Sequence, residues 1–582
     1  MTKEEVAAVL EEISTLLELK GENPFKCNAY RNGARAVLQL PGDLDEIVRE
    51  GKLVGVHGIG DTLREKITTL VSTGSLPFYD ELKGSMPDGL VKMLKIPGLG
   101  PKKIKALHED LRISTLEDLK RACETGRVAK LKGFGDKTQS KILEGLAFID
   151  QIGNRVRIDQ ALPAALDILA ALRALPDVIR AELCGSLRRR RETAKDVDLL
   201  VSTDHPDTVR AAFATLPHVT KVVAHGPTKS SLIVEHFQDS HKITLGCDIR
   251  VVTDKQFPFA LNYFTGSKEH NIRIRQRAID RGLKLNEYEL VSDSKSIHCH
   301  DEKEIYATLE LDWMPPEMRE DTGEIDLAEW MHGKSKHRLP KLLEASDIRG
   351  VFHNHSTWSD GGASLEEMAH AAKKLGYEYF GIADHSQSLT VANGLSPARV
   401  KQQHAEIEAV NKKLKGIRIL KGAEVDILDD GSLDYSDKLL ESFDYVVAAV
   451  HTLFGMPEEE MTQRIITAAR HPLVTMLAHP TGRLLLRREG YRVNLDKVLE
   501  ACAESGTMIE INAQPMRLDL DWKYCKRAKS LGIKLVINPD AHSTRELEFV
   551  PYGVDAARRG WLEAGDVFNT LSLKEVVKVL EI

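Results

Sequence analysis

At 582 residues, 42% hydrophobic and 29% charged, the chain has the composition of ordinary globular domains, three to four of them at about 150 residues each. A formal net charge of −7 excludes a global basic field, so any affinity for nucleic acid must be local. Seven scattered cysteines with no CxxC pair exclude a zinc finger or disulfide framework, and no apolar run reaches the roughly 18 residues of a membrane span.

The opening "MTKEEVAAVLEEISTLLEL" has the spacing of an acidic amphipathic helix and not the charge order of a signal peptide. With free thiols, this predicts a cytoplasmic protein that does not enter a membrane. Residues 1–150 read as all helix. Three stretches in them share one shape: "VHGIGDTLREKI" from Val56, "IPGLGPKKIKAL" from Ile96 and "LKGFGDKTQSKI" from Leu131. In each, two glycines (Gly58 and Gly60, Gly98 and Gly100, Gly133 and Gly135) flank one apolar residue just before a basic amphipathic helix. Such a turn aims backbone N–H groups outward at the positive end of the helix, which suits a phosphate. Residues 91–142 carry thirteen Lys/Arg against six Asp/Glu, a local basic surface. Contacts of this kind read the DNA backbone and not its sequence. The repeated turn resembles helix-hairpin-helix DNA-binding motifs.

From about 151 to 320 a helix leads into strands such as "AELCG", "DVDLLVS", "SLIVEHF" and "ITLGCDIRVV". Asp196 and Asp198 stand at i and i+2 of one strand, so both carboxylates face the same side and suit two hard cations. Asp248, on another apolar strand, is placed to complete that set, and Arg250 on the same face to orient a carboxylate. Gly185 and Ser186 mark a helix start with Arg188 to Arg191 behind it, a cradle of amides, hydroxyl and guanidiniums for a triphosphate. The polar "DLAEWMHGKSKHRLPKLLEASD" reads as a linker.

From about 348 short apolar strands alternate with helices, the rhythm of parallel strands with crossover helices, predicting a barrel. "HNHSTWSDGG" brings His353, His355 and Asp360. His385, Glu424, His451, His479, Asp540 and His542 follow, several at the C-terminal end of an apolar strand. In a barrel those ends share one face. Six histidines with carboxylates and no cysteine suit Mn²⁺, Zn²⁺ or Fe²⁺ in an open catalytic site, and nine ligands suffice for up to three ions. "RLLLRREGYR" from Arg483 adds basic and aromatic side chains suited to single-stranded DNA.

The combination "GS…DxD", "DIR" and "YFTGSKEHNIRIR" from Tyr263 resembles the palm of family X DNA polymerases. The resemblance implies Mg²⁺ (or Mn²⁺) on Asp196, Asp198 and Asp248, with Asp248 helping to deprotonate a primer 3′-hydroxyl. It implies Gly185, Ser186 and Arg189 at the triphosphate, Tyr263, Phe264 and Gly266 at the sugar, and Asn271 and Arg275 at base or template. Lys195 departs from it, standing where the family usually has glycine. "NPFKCNAYRNGARAV" from Asn23 resembles the polymerase beta lyase region. This implies Lys66 as a Schiff-base nucleophile, with Lys26 and Tyr30 in its pocket, whereas Phe25 and Thr62 replace an expected histidine and lysine.

The second half resembles the PHP (polymerase and histidinol phosphatase) domain, implying a distorted seven-stranded α/β barrel. It implies His353, His355, Glu424 and Asp540 about one ion, Glu424, His451 and His479 about a second, and Asp360, His385 and His542 about a third. The chain as a whole resembles bacterial family X DNA polymerases with a C-terminal PHP domain. The implied architecture is multidomain: a helical lyase-like region (1–82), helix-hairpin-helix fingers (83–150), an α+β nucleotidyltransferase palm (151–320), a linker (321–347) and the barrel (348–582). The implied activity is filling of short gaps in DNA repair with 3′–5′ exonuclease trimming and cleavage at abasic sites. Its partners would be gapped or primer-template DNA and deoxynucleoside triphosphates, bound by a monomer. A phosphatase barrel and a non-catalytic metal-stabilised scaffold are the competing readings.

Overall fold

The computed structural model of the chain describes residues 3–38, 40, 44–56, 58–94, 96, 99–226, 228–238, 241–293, 295–331, 334–335 and 337–582. The chain divides into two compact units, residues 1–155 with 235–244 and residues 156–234 with 245–582.

Every regular element described in residues 3–152 is a helix. Two small cores form there, one from residues between Val6 and Leu82, the other from Leu19 and residues between Leu90 and Leu146. The glycine turn recurs with one hydrogen bond kept throughout. The N–H groups of Ile59, Leu99 and Phe134 donate to the carbonyls of Val56, Ile96 and Leu131 at 3.1, 3.1 and 3.0 Å. Helices α1 (Asp61–Thr73), α2 (Pro101–Leu111) and α3 (Asp136–Ile152) start directly after the turns. Gly133 and Gly135 have φ of +87° and +96°, which a side chain would strain. Gly98 lies outside the described residues.

Strands β1 (Arg180–Leu183), β2 (Asp196–Ser202), β3 (Val219–His225), β4 (Lys229–Gln238) and β5 (His241–Val252) form a sheet of order β1-β2-β5-β4-β3. Val197 and Leu199 on β2 are buried while Asp196 and Asp198 are partly exposed, the alternation that a pleat imposes; from Leu199 onward the strand is buried on both faces. Strand β2 runs parallel to β5 with Asp198 opposite Asp248. A short helix α4 (Gly185–Arg188) follows β1, and α5 (Phe257–Thr265) and α6 (Lys268–Asp280) follow β5. Phe259, Ile274, Tyr306, Leu309 and Met314 build a separate core beside them.

The segment read as a linker is structured. Trp330–Met331 pairs antiparallel with Lys334–Ser335, and the Trp330 indole and Ser335 hydroxyl both donate to Asp312 at 2.8 Å. Leu342 and Leu343 are buried. Partners outside the segment, the Asp312 carboxylate and the Glu310 carbonyl, fix this hairpin, and hydrophobic patterning within the segment carries no sign of it.

Seven parallel strands follow in sequential order: β6 (Gly350–Val351), β7 (Tyr379–Ile382), β8 (Arg418–Asp426), β9 (Tyr445–Ala449), β10 (Met476–Leu477), β11 (Met508–Asn512) and β12 (Leu535–Asn538). A parallel bridge between Asn354 and Ala541 brings the ends of the sheet together. The strands "YFGI", "YVVAA" and "LVIN" are buried at every position, as expected when helices cover one face and a filled barrel the other. Phe352, Tyr379, Leu420, Tyr445, Met476, Val536 and Phe568 fill the interior. The Tyr445 hydroxyl reaches the carbonyls of Ile382, at 2.6 Å, and Phe352. Gly381 and Gly422 leave room for that ring, since a Cβ at either would collide with it. Helix α7 (Val550–Arg559) packs behind β12. Among the described residues no helix is long and apolar enough to cross a membrane.

Candidate metal centres

In the palm, the turn after β1 and the two parallel strands meet at the carboxylates. The Cys184 N–H donates to the Asp198 carbonyl at 2.8 Å, and a Cβ on Gly185 (φ +60°) would run into the Asp198 carboxylate. The glycine is therefore what lets the Gly185–Ser186 turn lie against the acid cluster. Burial, with the like charges of Asp196 and Asp248, pushes Asp198 up to about 6. Lys229 sits 2.5 Å from one Asp248 oxygen and Ser231 donates to the other at 2.7 Å. Three mutually repelling carboxylates, one partly desolvated, are a donor set that a hard divalent cation relieves. Arg250 stacks at 3.9 Å on the Phe264 ring. Asn271 donates to the Tyr263 carbonyl at 2.7 Å, and Asn271, Arg275 and Tyr263 line one small cavity. Arg189 is buried, donating to Glu320 at 3.0 Å and to the Thr265 carbonyl. Lys195 is exposed.

In the barrel, all nine ligand candidates converge above the C-terminal strand ends. Four groups have their ligand atoms within 4.8 Å of one another: His355, Asp360, His385 and His542; His353, His355 and Asp540; His353, Glu424 and His479; His385, Glu424 and His451. The implied partition into three sets is thus blurred, with His355 reaching the Asp360 group and His385 reaching Glu424 at 2.9 Å. Glu424 lies at the centre, 2.9 Å from His479 and 3.1 Å from His451. His479 (φ +26°) and Asp540 (φ +51°) hold left-handed backbone, an uncommon cost at side chains turned toward one point.

The electrostatics follow from that crowding. Burial together with His542 and His385 presses His355 down to about 3, keeping its imidazole neutral. Asp360 and Asp540 outweigh burial and hold His542 up at about 9. Burial is outweighed at Asp360 by the hydrogen bond from His542 and neighbouring histidines, bringing it down to about 2, and at Glu424 by histidine charge, well below the usual carboxylate range. The buried Nε2 of His353 and Nδ1 of His355 have no hydrogen-bond partner in the protein. Orphaned imidazole lone pairs beside ionised carboxylates are what a transition-metal ion satisfies, so the residues fit such ions.

Comparison with known proteins agrees with both halves. Residues 1–76 match the helix-hairpin-helix domain, 90–147 the SAM-like helix-hairpin-helix tandem, 260–320 the DNA polymerase beta thumb and 352–514 the PHP domain. The DNA polymerase/3′-5′ exonuclease PolX of Bacillus subtilis (strain 168) is 42% identical over 583 residues, spanning 100% of both chains. The chain belongs to the PolX family, the family X DNA polymerases with a C-terminal PHP domain. A probable phosphatase of Thermoanaerobacter sp. (strain X514) is 30% identical over 202 residues, 33% of this chain and 77% of its own. A probable phosphatase of Acetivibrio thermocellus is 28% identical over 204 residues, 34% of this chain and 80% of its own.

In this chain the match to the PHP domain ends before Asp540 and His542, yet both, just after β12, reach the cluster of ligand candidates. Sequence reading missed Glu510. It is fully buried and accepts from His353 Nδ1 at 2.7 Å, the His479 N–H at 2.8 Å and the amides of Asn512 and Asn538 at 3.1 Å. Its signal was a lone acid inside the apolar strand "MIEIN". Asp426 similarly accepts from His451 Nδ1. The reading of "RLLLRREGYR" as a strand-binding surface needs correction. Tyr491 is buried with its hydroxyl on the Pro480 carbonyl, and Arg483 is spent on Asp521 and the Arg517 carbonyl. The aromatic ring packs the core against Phe454, and only Arg487, Glu489 and Arg492 face outward. In the first unit, Lys66 donates to the Tyr30 hydroxyl at 2.6 Å and lies 3.2 Å from the Phe78 ring centre. Burial and Lys26 lower its pKa. Phe25 and Thr62 are exposed.

Proposed function

We propose that this chain is a DNA-directed DNA polymerase that also degrades DNA from the 3′ end, with synthesis in the palm and hydrolysis in the barrel. The observation that carries this is the pair of separate acid clusters, on unrelated folds, in a chain that follows a named polymerase/3′-5′ exonuclease from end to end. In the palm, Asp196, Asp198 and Asp248 would hold two Mg²⁺ or Mn²⁺ ions. Asp248 would also draw the proton from the primer hydroxyl. Gly185, Ser186 and Arg189 would receive the triphosphate, Tyr263, Phe264 and Gly266 the sugar, and Asn271 and Arg275 the base or template.

In the barrel, the nine ligands would hold up to three Mn²⁺, Zn²⁺ or Fe²⁺ ions. Such ions, when bound, supply a hydroxide nucleophile near neutral pH and offset phosphate charge. Glu510 and Asp426 fix the imidazoles of His353 and His451, so that the ring nitrogen facing the cluster is the one left free to bind. The likeness of the barrel to probable phosphatases supports phosphoester hydrolysis as its shared chemistry. The six glycines of the hairpins would seat gapped or primer-template DNA by its phosphates. Lys66, in its aromatic pocket, would attack an abasic sugar. Together these activities suit gap filling during repair.

The test is a separation of function. The Asp196→Ala/Asp198→Ala double variant should stop adding nucleotides while still shortening a 3′ end. Glu424→Ala should do the reverse, with excess Mn²⁺ restoring little. Were Glu424→Ala to degrade a single-stranded primer at the wild-type rate while the palm variant lost that activity, the nuclease would lie in the palm.

A further inference from the structure

The buried arginine at the end of α7, Arg559, takes no part in either metal cluster. Its Nη1 donates to the Arg189 carbonyl at 2.8 Å and to Glu320 Oε1 at 3.0 Å. That same Oε1 accepts from Arg189 Nε at 3.0 Å, so one carboxylate oxygen serves two guanidiniums. The Arg559 side chain has no exposed surface, its plane lies over Trp522 at 4.5 Å, and its Nε and Nη2 have no partner in the protein. Helix α7 reaches the same region twice more, through Arg558 to Glu317 at 2.9 Å and Asp555 to Arg190 at 3.7 Å. Arg189 itself threads past Gly266, where a Cβ would lie 2.8 Å from its Nη1, to reach the Thr265 carbonyl.

Arg189 is thus committed to Glu320 in a buried site, and a triphosphate would have to draw it away. A buried carboxylate stripped of its only cation is strongly disfavoured. With Arg559 in place Glu320 keeps a counter-ion, since Arg559 Nη1 already holds the oxygen that Arg189 would release. We propose that Arg559, supplied by the barrel, is a positioning residue for nucleotide addition, staying on Glu320 as its counter-ion when Arg189 turns to the incoming triphosphate. This rests on the reading of Gly185–Arg189 as the triphosphate cradle. It gives the polymerase half a dependence on the barrel that is independent of the barrel's own hydrolysis.

Steady-state addition of one deoxynucleotide to a gapped duplex by the full chain tests it, with 3′-end degradation and the melting temperature as controls. Arg559→Met should raise the KM for the triphosphate about tenfold, the size of one charge-assisted hydrogen bond, with kcat changed much less. Arg559→Lys should stay near wild type. Glu320→Gln removes the buried charge, so alone it should lower KM, and in the Arg559→Met background it should bring KM back toward wild type. A purely structural role for Arg559 predicts no such rescue. An unchanged KM in Arg559→Met, or a double variant as impaired as Arg559→Met, would overturn the proposal. Arg189→Ala separates it from the reading beneath. If KM is unchanged there, Arg189 does not hold the triphosphate and both fall. If KM rises there but not in Arg559→Met, only the counter-ion role falls. Should Arg559→Met fail to fold, Arg559→Gln takes its place, and an unchanged KM there overturns the role.

Discussion

Replacing Glu510 by glutamine changes one atom and should disable the barrel while sparing the palm. The carboxylate accepts four hydrogen bonds: His353 Nδ1–H and the Asn538 amide on one oxygen, the His479 N–H and the Asn512 amide on the other. A glutamine amide has one acceptor oxygen, so whichever way it turns, its NH₂ meets two donors. Losing two charge-assisted bonds in a fully buried position corresponds to roughly 3–6 kcal/mol, a large part of the stability of a domain. The functional loss has a separate origin. With the NH₂ turned toward Nδ1, His353 no longer keeps its proton on the side away from Glu424 and Asp540; turned the other way, it meets the His479 N–H instead, and the change of a residue behind a metal ligand typically costs 10–100-fold. The assay is removal of nucleotides from a 5′-labelled primer without triphosphates over a range of Mn²⁺, beside single-nucleotide addition by the same preparation. Degradation should fall at least tenfold and demand more Mn²⁺, the melting temperature should drop, and addition should hold. Degradation within about twofold of wild type at equal Mn²⁺ would refute the claim that Glu510 sets the tautomer of His353.

Binding to a gapped duplex should weaken steeply with salt, and Gly133→Val with Gly135→Val, which forces valine to φ near +90°, should lower both affinity and the salt slope, the slope by about one for each phosphate the hairpin no longer holds. Unchanged affinity in a folded double variant would remove the hairpins from the interface. Borohydride should trap a covalent adduct between Lys66 and a 5′-deoxyribose phosphate end, and at pH values below lysine's ordinary range, because burial and Lys26 favour the neutral amine. No adduct with the wild-type chain would retire the lyase reading. Burial pushes Asp555 up to about 6, so the stability it contributes as a neutral acid is full at low pH and is lost as pH rises through about 6. Asp555→Asn should therefore melt above wild type at pH 8, by no more than roughly 3 kcal/mol, and the gap should narrow as pH falls through about 6 and close near pH 4, the ordinary value of an aspartate; a constant gap would contradict the assignment.

What the sequence disclosed was whatever is local or periodic. The three glycine turns share one hydrogen bond because the same five-residue pattern recurs, and the seven parallel strands announced themselves as short apolar runs between helices. The barrel's ligand candidates were legible because several stand just beyond such a run, a register that the fold turns into convergence. Groups that depend on a distant partner stayed hidden. Glu510 looks like a stray charge until β11 is placed beside β12, where Asn538 meets it, and under β10, where His479 does. Arg189 reads as a free phosphate ligand until Glu320 and Arg559, more than 130 residues away in sequence, are brought to it. Tyr491 shows the opposite failure: an aromatic in a basic run suggests a stacking surface, but the ring was needed against Phe454.

The Tyr445 plug makes the barrel a cul-de-sac. Its hydroxyl laces two strands together beneath the candidate ligands, and Phe352, Tyr379, Met476 and Phe568 pack the interior around it. On the proposed assignment of hydrolysis to the barrel, a DNA end that enters from above would bring its last phosphate to the candidate ligands and go no further, while the mononucleotide cut from it would depart through the doorway the strand itself occupies. Each round of trimming is then a matter of traffic as much as of bond breaking. The shortened end must lift clear, or the product slip past it, before the next linkage can advance. Free mononucleotides should crowd that single entrance, and a terminus that frays easily, as a mismatched one does, is the one best able to reach the bottom.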